Sequence, residues 1–464
     1  MKRRSILAAG FTVLMSGSGW AEMAPEVHGM AQRQFEQFHK AVEQGASYLF
    51  YDIGWAHEKG RGVKADEAEA LRWYRRGAEV GESRSQYRLG WFNYFGLASL
   101  PRDAKQAAAW YERAAAQGHP GAQYALSLLL AGGQGVTQDD AAAYRWVARA
   151  AAQNHPEAQA RLGFHLASGR GVARDLEAAR QNYLLAAEKG LDDAQYALAL
   201  FYLRGQGVPR DVATALPWLQ RAAEQAHPDA SLALGLVYLH GQEVERDYAL
   251  GAKWLERAAQ LSSAEAQYWL ALLLYEGLGV EKDTVQATQW MTKAALQDQF
   301  NAMLELAERY ESGAGLLKNP ARSLEWYERV AERGHLDTQN LLAYRYQAGV
   351  GVPRDSTRAA YWYEKAARQG DASAQYQLGV AYLDADGLPQ NTLRAMEHLH
   401  AAAVQGVDLA QWLYGQLLSD AAENEAELRE AVVWLQRARA QGVIYAQEKI
   451  DTVCANTPPV CHAL

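Results

Sequence analysis

The chain has 464 residues, of which 49% are hydrophobic and 22% charged, and its formal net charge is -8. That composition excludes wholesale disorder, and the acidic balance argues against a sequence-independent nucleic-acid binder, which needs a basic footprint. Two cysteines in this length exclude a disulfide-rich scaffold and a multi-cysteine zinc protein.

The N-terminus reads Met1-Lys2-Arg3-Arg4, then an apolar run from Ile6 to Met15, then small residues ending at Ala21. This order is that of a secretory signal peptide, so residues 1–21 are expected to be cleaved and the rest exported to the periplasm or beyond. The run is too short to anchor the chain, since spanning a bilayer takes ~20 apolar residues. No later segment is longer, so no membrane insertion is expected. Loss of Lys2, Arg3 and Arg4 makes the mature chain still more acidic.

From about residue 47 the chain is periodic. Tryptophan stands at 73, 110, 146, 218, 254, 290, 326, 362 and 434, spaced by 36 or its multiples apart from one step of 37. Asn182 and His398 fill the two missing places, which makes eleven copies. In the first half of each copy apolar residues lie four apart, as Leu198 and Tyr202 do, which is helical spacing. The residue after the repeat leucine is always small, from Gly54 and Gly90 to Gly379 and Gly415, and that predicts a close helix–helix approach. A Gly-x-Gly-Val turn such as Gly205–Val208 then ends the helix through positive φ. Aspartate follows at 66, 103, 139, 175, 211, 247, 283 and 355, with Asn319 and Asn391 as equivalents, and reads as the N-cap of a second helix. On that helix Ala215, Trp218 and Ala222 are expected to share one face. His-Pro opens the next copy at 119, 155 and 227, with proline suited to a first helical turn.

A single helical hairpin of this kind cannot bury its apolar face, but a stack can. The expected fold is therefore all-α: an α/α solenoid with a right-handed superhelical course, built from about eleven 36-residue hairpins over residues 47–442. Residues 22–46, with a helix from Met30 to Gly45, are expected to cap one end. Residues 443–464, with a helix from Val443 to Thr452, should cap the other. The acidic stretch Ala422–Glu430 reads as a solvated loop leading into the last helix. In an oxidising compartment Cys454 and Cys461 are expected to pair.

The repeat resembles that of the Sel-1-like family, 36-residue relatives of tetratricopeptide repeats, over nearly all of the mature chain. The resemblance implies a protein-interaction platform rather than an enzyme. In such solenoids the first helix of each hairpin lines the concave side. Residues two and five places after the repeat leucine should then face the groove, and they vary within a fixed frame. This selects Trp55, Trp91 and Tyr94 near the N-terminus, where the run Trp91–Phe95 reads alternatively as a heavy core near the array's end, then Phe164, and Tyr275, Glu308, Glu311, Tyr344 and Gln347 in copies seven to nine.

Catalytic signals are weak. The Gly-x-Gly elements recur with the repeat and follow no strand, so they are turns rather than phosphate loops. Five histidines, at 57, 119, 155, 227 and 335, are tied to the repeat, and no His-x-x-x-His or Cys-x-x-Cys pair occurs, so neither metal nor cofactor is expected. The sequence thus points to an exported, non-enzymatic binding protein. A sharper form is an immunity protein that neutralises a secreted lipase or phospholipase effector. Alternatives are a scaffold for cell-envelope or exopolysaccharide assembly, and a module whose aromatic residues stack on sugar rings.

Overall fold

The structure is a computed structural model that describes residues 25–461. The expected leader, residues 1–21, lies outside the described residues. Among those described, every regular element is helical. The chain forms two compact units, one ending at Leu261 and one starting at Ser262. The first holds repeats one to six and the second repeats seven to eleven.

Each repeat is a pair of helices, such as Asp192–Arg204 with Val212–Glu224 in repeat five. The aspartates at the predicted N-caps act as such: the Asp211 side chain accepts a hydrogen bond from the Thr214 backbone N–H, and Asn319 and Asn391 do the same in their repeats. Caps of this type contribute about 1 kcal/mol each. The first helix ends on a left-handed residue, Gly205 in repeat five (φ 63°), and on Ala385 (φ 58°) in repeat ten. The extra residue of repeat two is absorbed in its turn, where Ala98 and Ser99 both take positive φ.

The predicted close approach lies within the hairpin. A Cβ on Gly90 would stand 2.7 Å from the Tyr111 ring, and one on Gly235 would stand 2.6 Å from Leu255 Cγ. The residue that needs this space follows the repeat tryptophan. Tyr74, Tyr111, Leu219, Leu255 and Met291 occupy that position and are among the largest fully buried side chains. The tryptophan itself stands at the margin of that face. In repeat five Ala215, Leu219 and Ala222 face the core, while Trp218 is half-buried beside them. A cation three residues on covers the exposed ring face, as Arg221 does over Trp218 at 4.8 Å and Lys293 over Trp290 at 4.1 Å. All nine tryptophans at the repeat position have this partner in sequence, and the two repeats that lose the tryptophan lose it too, with Leu185 and Ala401 instead.

A second device joins successive repeats. A buried glutamine three residues before the repeat leucine donates to a carbonyl of the preceding repeat's second helix and accepts from a glutamine at the end of its own repeat's second helix. Gln195 bonds Ala187 O at 3.1 Å and accepts from Gln225 at 3.0 Å. Gln339 bonds Ala331 O at 2.8 Å and accepts from Gln369 at 2.7 Å. Ser231 and Leu261 stand where the next rung of the first unit would fall, and there the glutamine pair is absent.

The ends are helical. Pro25–Glu43 precedes repeat one, and a Cβ on Gly62 of that repeat would lie 2.3 Å from Ala31 O. Gly171 bears the same relation to Asp140 O of a regular second helix, so residues 25–43 occupy the place of one. Tyr445–Asn456 follows repeat eleven and shares a core with Val432 and Leu435. The acidic stretch is only partly a loop. Asn424 caps a helix over Glu425–Ala440, and Glu427 reaches back to the Glu423 N–H at 2.9 Å. This reciprocal bonding resembles a capping box, with the return bond one residue before the cap. Cys454 is disulfide-bonded. The side chain of Cys461, its expected partner, lies outside the described residues.

Four of the repeat histidines also have a local duty. His119, His155, His227 and His335 cap first helices, each accepting a backbone N–H on Nδ1. That role needs an unprotonated Nδ1. Burial chiefly, with the nearby His155, lowers the His119 pKa to about 4. A group depressed in the folded state contributes stability that is complete above its unfolded pKa of ~6.5 and is lost as pH falls towards the folded value. His119→Asn keeps a capping acceptor that does not titrate. The variant should melt close to wild type at neutral pH and lose less melting temperature between pH 6.5 and 4, as followed by circular dichroism.

Candidate partner-binding surface

The hairpin geometry sorts the candidate positions. The repeat leucine points into the core and the small residue after it faces the second helix. The residue two places after the leucine therefore turns away from the second helix, exposed at Glu308 and Tyr344 but buried at Trp91 and Leu128, whereas the residue five places after it lies beside the large residue that follows the tryptophan.

That second position proves to be a hydrogen-bond acceptor. Tyr327 donates to Glu311 at 3.0 Å, Tyr363 to Gln347 at 2.8 Å, and Tyr74 to Glu58 at 2.8 Å. Arg345 also binds Glu311 at 2.5 Å, and Gln347 donates to Gln377 at 3.2 Å. Burial, together with the Glu311 bond, pushes Tyr327 up to about 12. Glu58 shows how tightly the position can be held. Burial opposes its charge, but Arg88, Lys59 and Tyr74 outweigh that and keep its carboxyl below the usual range. Glu311 and Gln347 thus have packing partners inside the fold.

Three further candidates lie beneath the surface. Tyr275 is 1% exposed, with its hydroxyl 2.8 Å from Thr288 Oγ1 and Arg309 3.8 Å above its ring. Trp91 and Tyr94 are buried in the first unit. Trp91 lies against Phe95 at 4.5 Å, and Tyr94 donates to Gln134 at 2.7 Å. Trp55 and Phe164 are half-buried, with Arg61 at 5.5 Å and Arg161 at 5.0 Å over their rings.

Glu308 and Tyr344 remain. They occupy the same position on the neighbouring first helices Phe300–Ser312 and Leu336–Ala348 of the second unit. Glu308 is exposed and Tyr344 is 55% exposed. Neither side chain has a hydrogen bond, ion pair, ring contact or cation among the described residues. Partial burial and the Glu305 and Glu311 carboxylates push Glu308 above the usual carboxylate range.

The second helices carry hollows that sequence reasoning missed. One of about 700 Å³ lies between repeats eight and nine, lined by Glu328, Arg329, Glu332, Arg358, Tyr361 and Trp362 among others. Another of about 510 Å³ lies between repeats five and six, beside Trp254 and Arg257. None of the nine candidate residues lines either. The signal that could have found this face is the cation that follows every tryptophan. Among the described residues no group of histidine, cysteine, aspartate and glutamate could hold a metal ion, and no helix is long and apolar enough to cross a membrane.

The family model of the Sel1 repeat matches eleven times, at residues 51–82, 83–119, 120–155, 156–191, 192–227, 228–263, 264–299, 301–335, 336–371, 372–407 and 409–443. The chain is similar to c5321, a protective antigen present in uropathogenic Escherichia coli strains with an SLR fold. The likeness has 30% identity and a TM-score of 0.63, and covers 91% of this chain and 90% of that one. A Sel1 repeat protein from Oxalobacter formigenes is 28% identical over 53% of this chain and 99% of its own, with a TM-score of 0.48. The immunity protein Pa5087 from Pseudomonas aeruginosa is 18% identical over 54% of this chain and 81% of its own, with a TM-score of 0.30. No curated protein matches the chain.

The division between the two positions can be measured. Glu311→Ala strands the Tyr327 hydroxyl and Arg345, and should cost about 1–3 kcal/mol. Glu308→Ala should stay within about 0.5 kcal/mol of wild type. Denaturant unfolding of both variants tests this.

Proposed function

Because the chain belongs to the Sel1 repeat family, whose solenoids are generally protein-interaction scaffolds, we propose that it is an exported, non-enzymatic protein that holds a protein partner on the face of its first helices. The observation that carries this reading is the pair Glu308 and Tyr344. The neighbouring candidates are bound into the fold, while these two present an acid and an aromatic ring to solvent with no internal partner. Exposed aromatic residues on a rigid frame are typical anchors of protein recognition. Export is supported by the basic, apolar and small-residue order of residues 1–21.

The partner classes are a lipase or phospholipase effector, which makes the protein an immunity factor, or components of envelope assembly, which make it a scaffold. The test is affinity capture from crosslinked envelope extract with the mature chain and its Tyr344→Ala variant. Wild type should recover a partner that Tyr344→Ala recovers about tenfold less well, with the variant's melting curve unchanged. A single stoichiometric lipase whose activity the protein inhibits identifies immunity, and several assembly components identify a scaffold. Recovery that is equal for both proteins overturns the placement of the surface.

A further inference from the structure

Charge is distributed unequally between the two helix faces of the second unit. Its five first helices, from Ala264–Glu276 to Asp408–Ala421, carry nine carboxylates and two cations. Both cations are already engaged: Arg309 binds Glu305 at 2.7 Å and Arg345 binds Glu311 at 2.5 Å. The five second helices of the same unit carry ten cations and eight carboxylates. In the first unit the first helices are nearly balanced, with six carboxylates and five cations. The acid surplus of the molecule's helices therefore concentrates on one face of one unit.

The aromatic residues give a second, independent indication. Four tyrosines of this unit are covered by the chain's own cations: Arg309 lies over Tyr275, Arg345 over Tyr327, Arg322 over Tyr310 and Arg358 over Tyr346. Tyr344 has no such cover and is 55% exposed, one repeat from the unpaired Glu308 carboxylate. A lysine or arginine from outside would find an open ring face and an unneutralised carboxylate on neighbouring helices, the two groups that attract a cation most strongly.

We propose that the first-helix face of residues 262–464 takes a basic, lysine- or arginine-rich segment of its partner, with Tyr344 and Glu308 as the seat for a cation. The inference rests on the protein-binding reading and names the partner's chemistry. Summed charge of one sign raises the association rate and makes binding fall with salt.

The test uses the full mature chain and fluorescein-labelled octalysine and octaglutamate peptides, read by fluorescence anisotropy at low and physiological salt. Octalysine should bind and octaglutamate should not. Glu308→Lys should weaken octalysine binding about three- to tenfold at low salt. Glu325→Lys makes the same charge change on the second helix of the same repeat, and should weaken it by less than about twofold. Both variants are checked for an unchanged melting curve. Equal weakening by the two reversals would show attraction to net charge alone and overturn the proposal, as would octalysine binding no tighter than octaglutamate. Partner capture that still depends on Tyr344 would then leave the protein-binding reading standing while its basic chemistry falls. Capture that ignores Tyr344 would bring down the reading itself.

Discussion

The structure depends on one close approach, repeated in every hairpin. A small residue after the leucine of the first helix admits the large residue after the tryptophan of the second. Gly90 against Tyr111 and Gly235 against Leu255 show how little room is left. With the two helices this close, the buried residue is fixed in place, and the tryptophan one position earlier is turned to the edge of the core. Its outer face is then open to a cation on the next turn, which is worth about 0.5–1 kcal/mol at an exposed site.

The same approach decides which positions are free for recognition. In three repeats the large residue is a tyrosine whose hydroxyl ends beside the first helix and takes an acceptor there, since a buried unpaired hydroxyl is costly, whereas the Tyr111 hydroxyl is buried without one. Glu58, Glu311 and Gln347 supply one. At these three places the choice of residue follows the tyrosine it faces inside the hairpin. The position one turn earlier has no such obligation. Tyr344 and Glu308 stand there, an exposed ring and an unpaired acid on neighbouring first helices.

What could be read from the sequence was what is local or periodic. Helix N-caps, turn glycines and the small residue after leucine act within a few residues of themselves, so their spacing carries their meaning. The facing of the second helix was harder. Ala215, Trp218, Ala222 and Ala215, Leu219, Ala222 both satisfy helical spacing, and only the partner across the hairpin chooses the second. The glutamine rungs join residues 30 apart, as Gln225 and Gln195 are, and no spacing rule within one helix announces them. Burial of Trp91, Tyr94 and Tyr275 could not be decided from the sequence for a related reason. Their neighbours Phe95, Gln134 and Thr288 close over them, and variation alone does not tell a ligand from a packing partner.

The central claim is that partners meet the first helices and leave the second helices to packing and solubility. Tyr344 and Tyr361 test it within one repeat, since they are 55% and 46% exposed and stand on its first and second helix respectively. Hydroxyl-radical footprinting of the full chain, alone and with its captured partner, reads both rings at once. The account predicts that oxidation of Tyr344 falls on binding and that of Tyr361 does not. Protection of Tyr361 with Tyr344 still reactive would contradict it and move the interface to the tryptophan face.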